Sequence, residues 1–115
     1  MTEDPAEAVY AFVRTVPPGK VVTYGQVAAM VTEVSLTARQ VGQIMNASPP
    51  DVPFQRVVGA GGHLPIGKRG PHLKTLQRRL LEEEGVSFLP NDCVDMRKHQ
   101  WMPQAEEPRG LFEEW

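Results

Sequence analysis

The chain has a single cysteine, Cys93, so it cannot close an internal disulfide, and a reducing compartment is the simplest setting for it. No apolar run approaches the ~20 residues that span a bilayer. The first residues, Met1-Thr2-Glu3-Asp4, lack the basic start and apolar stretch of a signal peptide. These absences predict a soluble intracellular domain. Paired metal-ligand spacing is also missing: His63, His72, His99 and Cys93 are scattered singly, so neither a metal nor another cofactor is expected. The glycines between 59 and 70 lack the Gly-Lys-Ser/Thr ending of a phosphate loop. Cys93 has Lys98 and His99 near it in sequence, but Asp92 and Asp95 flank it and oppose a thiolate. No catalytic residue is expected.

What is present fits one small domain. The chain has 115 residues, 41% apolar and 23% charged, enough for one modest core to which much of the chain must contribute. Eleven prolines, some paired as in Pro17-Pro18 and Pro49-Pro50, predict ordered but irregular connections. The net charge of −2 hides an asymmetry. Residues 1–80 carry nine Lys or Arg against five Asp or Glu, a balance of +4; residues 81–115 carry three against nine, a balance of −6. Such a body can neutralise phosphates locally but lacks the many contacts of a sequence-blind grip on DNA.

Taken in order, Asp4 is placed to cap a helix, with Pro5 at its first position and Glu7 as in a capping box. Val9, Phe12, Val13 and Val16 recur at helical spacing, and Pro17-Pro18-Gly19 ends the run. Val21-Val22 is a short β-prone bridge. Thr23 can cap a second helix from Tyr24 to about Val31, packing Val27, Ala28 and Met30. Thr37 can cap a third over 38–45, with Val41, Ile44 and Met45 inward and Ala38, Arg39, Gly42 and Gln43 outward. Two short helices of this kind form a helix-turn-helix pattern, which many small α domains share. Arg56-Val57-Val58 reads as a brief strand, and Gly59 to His72 as a long loop. Leu73, Leu76, Leu80 and Leu81 define a fourth helix ended by Gly85, with Glu82-Glu83-Glu84 read as a solvated acidic face. Val86-Ser87-Phe88 and Val94-Asp95-Met96 read as strands around a Pro90-Asn91-Asp92 turn. Irregular chain is expected from Trp101 onward.

Four residues attract chemical interest, each with an innocuous alternative. Tyr24 could pack at a helix start, Phe54 could plug the core, Arg39 could be solvated and Arg69 could decorate a loop. Their setting is specific. The runs Pro17-Pro18-Gly19-Lys20-Val21-Val22-Thr23-Tyr24-Gly25-Gln26-Val27-Ala28, Ala38-Arg39-Gln40-Val41-Gly42-Gln43-Ile44-Met45 and Val52-Pro53-Phe54-Gln55-Arg56-Val57-Val58 appear in that order. Gly61-Gly62 and Leu80-Leu81-Glu82-Glu83-Glu84-Gly85 follow. Together they resemble the O6-alkylguanine-DNA alkyltransferase family, over about residues 6–88 and fading by about 102. The implied fold is mainly α with short β elements, a single winged helix-turn-helix-like domain over 1–102. Residues 103–115 form a C-terminal tail of unknown role.

The departure from that family sits at the acceptor. Alkyltransferases carry Pro-Cys-His-Arg-Val, and here Phe54 and Gln55 stand where the cysteine and histidine would be. The chain therefore resembles the alkyltransferase-like proteins, which hold the lesion without transfer, although those more often have Trp before a retained His. By this resemblance Arg39 is the finger that fills the space of a flipped base, Tyr24 presses on the 3′ phosphate, and Ala38 and Gly42 allow close approach to the minor groove. Phe54, Gln55 and Arg69 form the lesion pocket, and Glu84 matches the acidic partner of the missing Cys-His pair. The implied function is non-enzymatic recognition of O6-alkylguanine in double-stranded DNA, flagged to nucleotide excision repair proteins. The implied setting is a monomer, off membranes, in the nucleoid-bearing cytoplasm or the nucleus. Three other readings stand beside it: a winged-helix regulator without lesion specificity, a residual alkyltransferase using Cys93, and a protein-interaction module suggested by the acidic tail.

Overall fold

A computed structural model of the chain describes residues 4–64 and 71–102. Arg69 and the tail from 103 to 115, both singled out above, lie outside the described residues. Helix α1 spans Pro5–Val13; the Asp4 carboxylate caps it by accepting from the Ala6 N–H at 3.1 Å. Glu7 contributes an acidic charge to the first turn, not the reciprocal bond of a capping box. Strand β1 (Val22–Thr23) leads directly into α2 (Tyr24–Met30), and α3 covers Ala38–Met45. Thr23 with Gln26 and Thr37 with Gln40 close full capping boxes, each satisfying two otherwise orphaned N–H groups. These caps explain why two helices of seven and eight residues start where they do, despite being too short to persist alone.

Phe54–Arg56 forms a 3-10 turn, so the strand expected from Arg56 begins one residue later as β2 (Val57–Val58). β2 pairs in parallel with β1, Val22 opposite Val57 and Thr23 opposite Val58. The crossover between the parallel strands contains α2 and α3. Side chains alternate across a strand, and that alternation divides the interior. Val22 and Val57 face a cluster with Val9, Val13, Val16, Val27 and Val41. Val21 and Val58 face a second cluster with Leu64, Leu81, Val86 and Val94. Each fully buried valine contributes about 1.5–3 kcal/mol from removal of apolar surface.

The second half departs from expectation in three places. Helix α4 begins at Pro71 and runs to Glu83, so the loop after Gly59 is shorter than Gly59 to His72. The returning strand at Val94-Asp95-Met96 reduces to one antiparallel bridge between Phe88 and Val94, and Met96–His99 is a short helix, α5. Its end is held by tertiary bonds, Val21 N–H to His99 O at 2.9 Å and Trp101 N–H to Val21 O at 2.8 Å. The chain at Trp101 is therefore docked, with its ring 6.0 Å from that of Phe12. Gly62 adopts a φ of +92°, and a Cβ there would lie 2.5 Å from the Val94 carbonyl oxygen, so only glycine fits this crossing. Among the described residues no helix is long and apolar enough to cross a membrane.

Candidate nucleic-acid interface and pocket

Helix α3 buries Val41 and Met45 against the first cluster and turns Ala38, Arg39, Gln40 and Gln43 to solvent. The expected inward stripe holds, with Ile44 half-buried. The Ile44 carbonyl accepts from Tyr10 Oη at 2.8 Å, which ties the helix to α1. Arg39 makes no hydrogen bond or ion pair with any described residue. Gly42 is more telling, because a Cβ built there would meet nothing within 4 Å. A glycine inside a helix costs about 0.5–1 kcal/mol relative to alanine, and no internal neighbour requires it.

Tyr24 opens α2 and packs half-buried against the first cluster. Burial pushes its phenol up to about 12, so the ring carries a neutral hydroxyl. Gly25, one residue on, lies where α2 passes α3; a Cβ there would sit in ordinary contact, 4.0 Å from Ala38 Cβ.

Phe54 is half-buried and combines two of its expected roles. One side packs on the first cluster, and the residue also lines a cavity of about 600 Å³ with Arg14, Pro53, Gln55, Arg56 and Leu80. At the rim Arg14 grips Asp51, Nε to Oδ2 at 3.0 Å and Nη2 to Oδ1 at 3.5 Å. Neither Tyr24 nor any outward residue of α3 lines this cavity. The structure thus brings Phe54 and Gln55 together, and sets Tyr24, Ala38, Arg39 and Gly42 on the separate α2–α3 face.

Behind the cavity wall lies a polar knot. Glu84, just past the end of α4, accepts from Gln55 Nε2 at 2.8 Å, from Arg56 Nη2 at 2.8 Å and Nε at 3.1 Å, and from the Gly19 N–H at 3.2 Å. Burial raises the pKa of this carboxyl, but the Arg56, Gln55 and Gly19 hydrogen bonds and the Arg56 charge outweigh it and hold it below the ordinary value. Arg56 Nη1 also donates to the Val16 carbonyl at 2.9 Å. Glu82 and Glu83 are exposed as expected, whereas Glu84 corrects the picture of a wholly solvated acidic face. Buried Gln77 supports the same wall, its Nε2 donating to Gln55 O at 3.2 Å and Val57 O at 3.1 Å. Gln77 escaped sequence reasoning, although it lies at helical spacing with Leu73, Leu80 and Leu81, where a polar residue signals an internal hydrogen bond.

Cys93 is buried and does not line the cavity. Its imidazole neighbour is His63, Sγ to Nδ1 at 3.5 Å, not His99. His99 instead receives the Ser87 N–H on Nε2 at 3.1 Å and places Nδ1 3.2 Å from Gly19 O. Among the described residues no three His, Cys, Asp or Glu side chains converge as a metal site.

Residues 4–86 match the model of the 6-O-methylguanine DNA methyltransferase, DNA binding domain. A DNA base-flipping protein of Vibrio parahaemolyticus is 31% identical over 97 residues, covering 83% of this chain and 93% of its own. Alkyltransferase-like protein 1 of Schizosaccharomyces pombe is 37% identical over 102 residues, covering 83% of this chain and 92% of its own. Among solved structures, S. pombe Atl1 in complex with damaged DNA containing O6-carboxymethylguanine superposes with a TM-score of 0.74 at 33% identity, over 90% of this chain and 100% of that one. Mycobacterium tuberculosis OGT in complex with DNA gives 0.61 at 31% identity, over 73% of this chain and 51% of that one.

Proposed function

Because the chain belongs to the 6-O-methylguanine DNA methyltransferase DNA-binding-domain family, among its alkyltransferase-like, base-flipping members, we propose that it binds O6-alkylguanine in duplex DNA, extrudes the base and holds it without accepting the alkyl group. The observation that carries this reading is Phe54 on the wall of the cavity; by the motif resemblance, it stands where the family's transferases keep their acceptor cysteine. A benzyl side chain has no nucleophile. Cys93 offers no substitute, being buried and absent from the cavity lining.

The physical steps suit the residues. Extruding a base costs a few kcal/mol, least for a poorly paired one such as an alkylated guanine. Helix α3 enters the minor groove, where Ala38 and Gly42 add no bulk and Arg39 fills the vacated stack. Tyr24, neutral and braced by the core, presses on the 3′ phosphate without charge repulsion. The base then stacks on Phe54, a contact worth roughly 1–3 kcal/mol; by the resemblance, Arg69 serves the same base as a cation on its ring or as a hydrogen-bond donor. Residues 1–102 carry this activity as a monomer without a cofactor. The held lesion marks the duplex for nucleotide excision repair in the nucleoid or nucleus.

Titration of O6-methylguanine duplex against the same unmodified duplex at moderate salt tests the proposal. A clear preference for the lesion is expected, and equal affinity ends it. Incubation with a duplex labelled on the alkyl group should leave the protein unlabelled; label lost in Cys93→Ser would instead establish transfer.

A further inference from the structure

Gln55 is the pocket residue whose chemistry the geometry defines most closely. An ionised carboxylate can only accept hydrogen bonds, and Glu84 is committed as such by Arg56 and the Gly19 N–H. The Gln55 amide must therefore turn its NH₂ end to Glu84, as the 2.8 Å Nε2–Oε2 bond has it. The reverse orientation would set two oxygens against each other. The backbone is pinned too, since Gln77 donates to Gln55 O. Oε1 then has no hydrogen-bond partner among the described residues, and it is not one of the buried unpaired atoms, of which none exist there. It is an open acceptor on a residue that lines the cavity.

We propose that Gln55 is a specificity-determining residue of the pocket: gripped by Glu84 through Nε2, it presents Oε1 as a fixed acceptor to an N–H of the extruded base or to a water held against it, and lesion affinity does not vary with pH across the neutral range. This rests on the lesion-binding reading. Preorganised polar groups discriminate because they are left unpaired by the wrong ligand, and a bridging water serves nearly as well as a direct contact. The charged groups facing the pair are Arg56 from the 3-10 turn and, at the rim, Arg14 with Asp51. The amide carries no ionisable proton, and the hydrogen bonds and the Arg56 charge that outweigh burial hold Glu84 below its ordinary value.

Two substitutions separate this role from space filling. Gln55→Met keeps the length and loses both polar ends. Gln55→Glu restores the arrangement only when protonated, its O–H donating to Glu84 and its C=O replacing Oε1; ionised, it repels Glu84. The measurement is affinity for O6-methylguanine duplex and for unmodified duplex at about pH 5.5, 7 and 8.5, with thermal melting of each protein under each condition. The native protein should hold a constant lesion preference. Gln55→Met should lose roughly tenfold in lesion affinity at every pH, the scale of one unmade polar contact, with unmodified duplex unaffected. Gln55→Glu should approach the native protein at the acid end and fall away as pH rises while remaining folded. Lesion affinity of Gln55→Met equal to native, or a pH-flat Gln55→Glu, overturns the role of Gln55 and leaves the function standing. No lesion preference in the native protein overturns both. Gln55→Met removes a bond and Gln55→Glu adds a repulsion, so a folding failure in one leaves the other decisive.

Discussion

The guanidinium of Arg56 closes on the carboxylate of Glu84 across 28 residues of sequence, Nη2 to Oε2 at 2.8 Å, with the two side chains only 16% and 14% exposed. An ion pair so enclosed adds little net stability relative to an apolar pair, but removing one partner strands the other charge. Arg56→Ala should therefore cost about 3–5 kcal/mol. Arg56→Met combined with Glu84→Leu should cost much less. Urea unfolding of the three proteins measures both values.

The same carboxyl sets an acid limit. Its pKa is lower folded than unfolded, burial being outweighed by the hydrogen bonds and charge it receives. Its contribution to stability is then fully present above the unfolded value and disappears as pH falls through the lower folded value. Unfolding free energy measured downward from neutrality should drop through that window in the native protein, and the drop should be shallower in Glu84→Gln.

At the alkaline end, Tyr24 has its phenol pushed up to about 12 by burial. A raised folded value means that its contribution is intact below the unfolded value of 10 and is lost as pH rises through about 12. Ultraviolet titration of tyrosinate should show a late inflection that vanishes in Tyr24→Phe. Lesion affinity should stay constant between pH 7 and 9 as far as Tyr24 is concerned.

How much of this was legible beforehand follows from the range of each interaction. The caps at Thr23 and Thr37 and the apolar spacing of α1 to α3 are local, and those helices begin where the sequence places them. Helix α5 is not legible. It has four residues, Asp95 makes no side-chain cap bond, and the helix is held by contacts to Val21, Ser87 and Gly19. Glu84 is hidden in a run of three acids because nothing near it in sequence shows that Arg56 and Gln55 lie opposite. The motif around Phe54 marks the pocket residue, but it does not reveal Arg14, which reaches the cavity from the end of α1.

The α3 face separates binding from folding most sharply. Arg39 is exposed and makes no hydrogen bond or ion pair with any described residue, so Arg39→Ala should change stability by no more than ~0.5 kcal/mol, while weakening lesion affinity far more than the loss of a lysine away from this face. Gly42 should behave in the opposite sense on folding. With nothing within 4 Å of the added Cβ, Gly42→Ala should raise stability by up to about 1 kcal/mol through helix propensity. Gly42→Leu should fold equally well, since its side chain projects into open space. A bound duplex would occupy that space, so lesion affinity should fall from glycine to alanine to leucine as stability holds or rises. Melting temperature and duplex affinity measured on the same three proteins give the answer. If affinity is unchanged in Gly42→Leu, α3 does not lie against the groove, and the assignment of Ala38 and Gly42 to close approach is wrong.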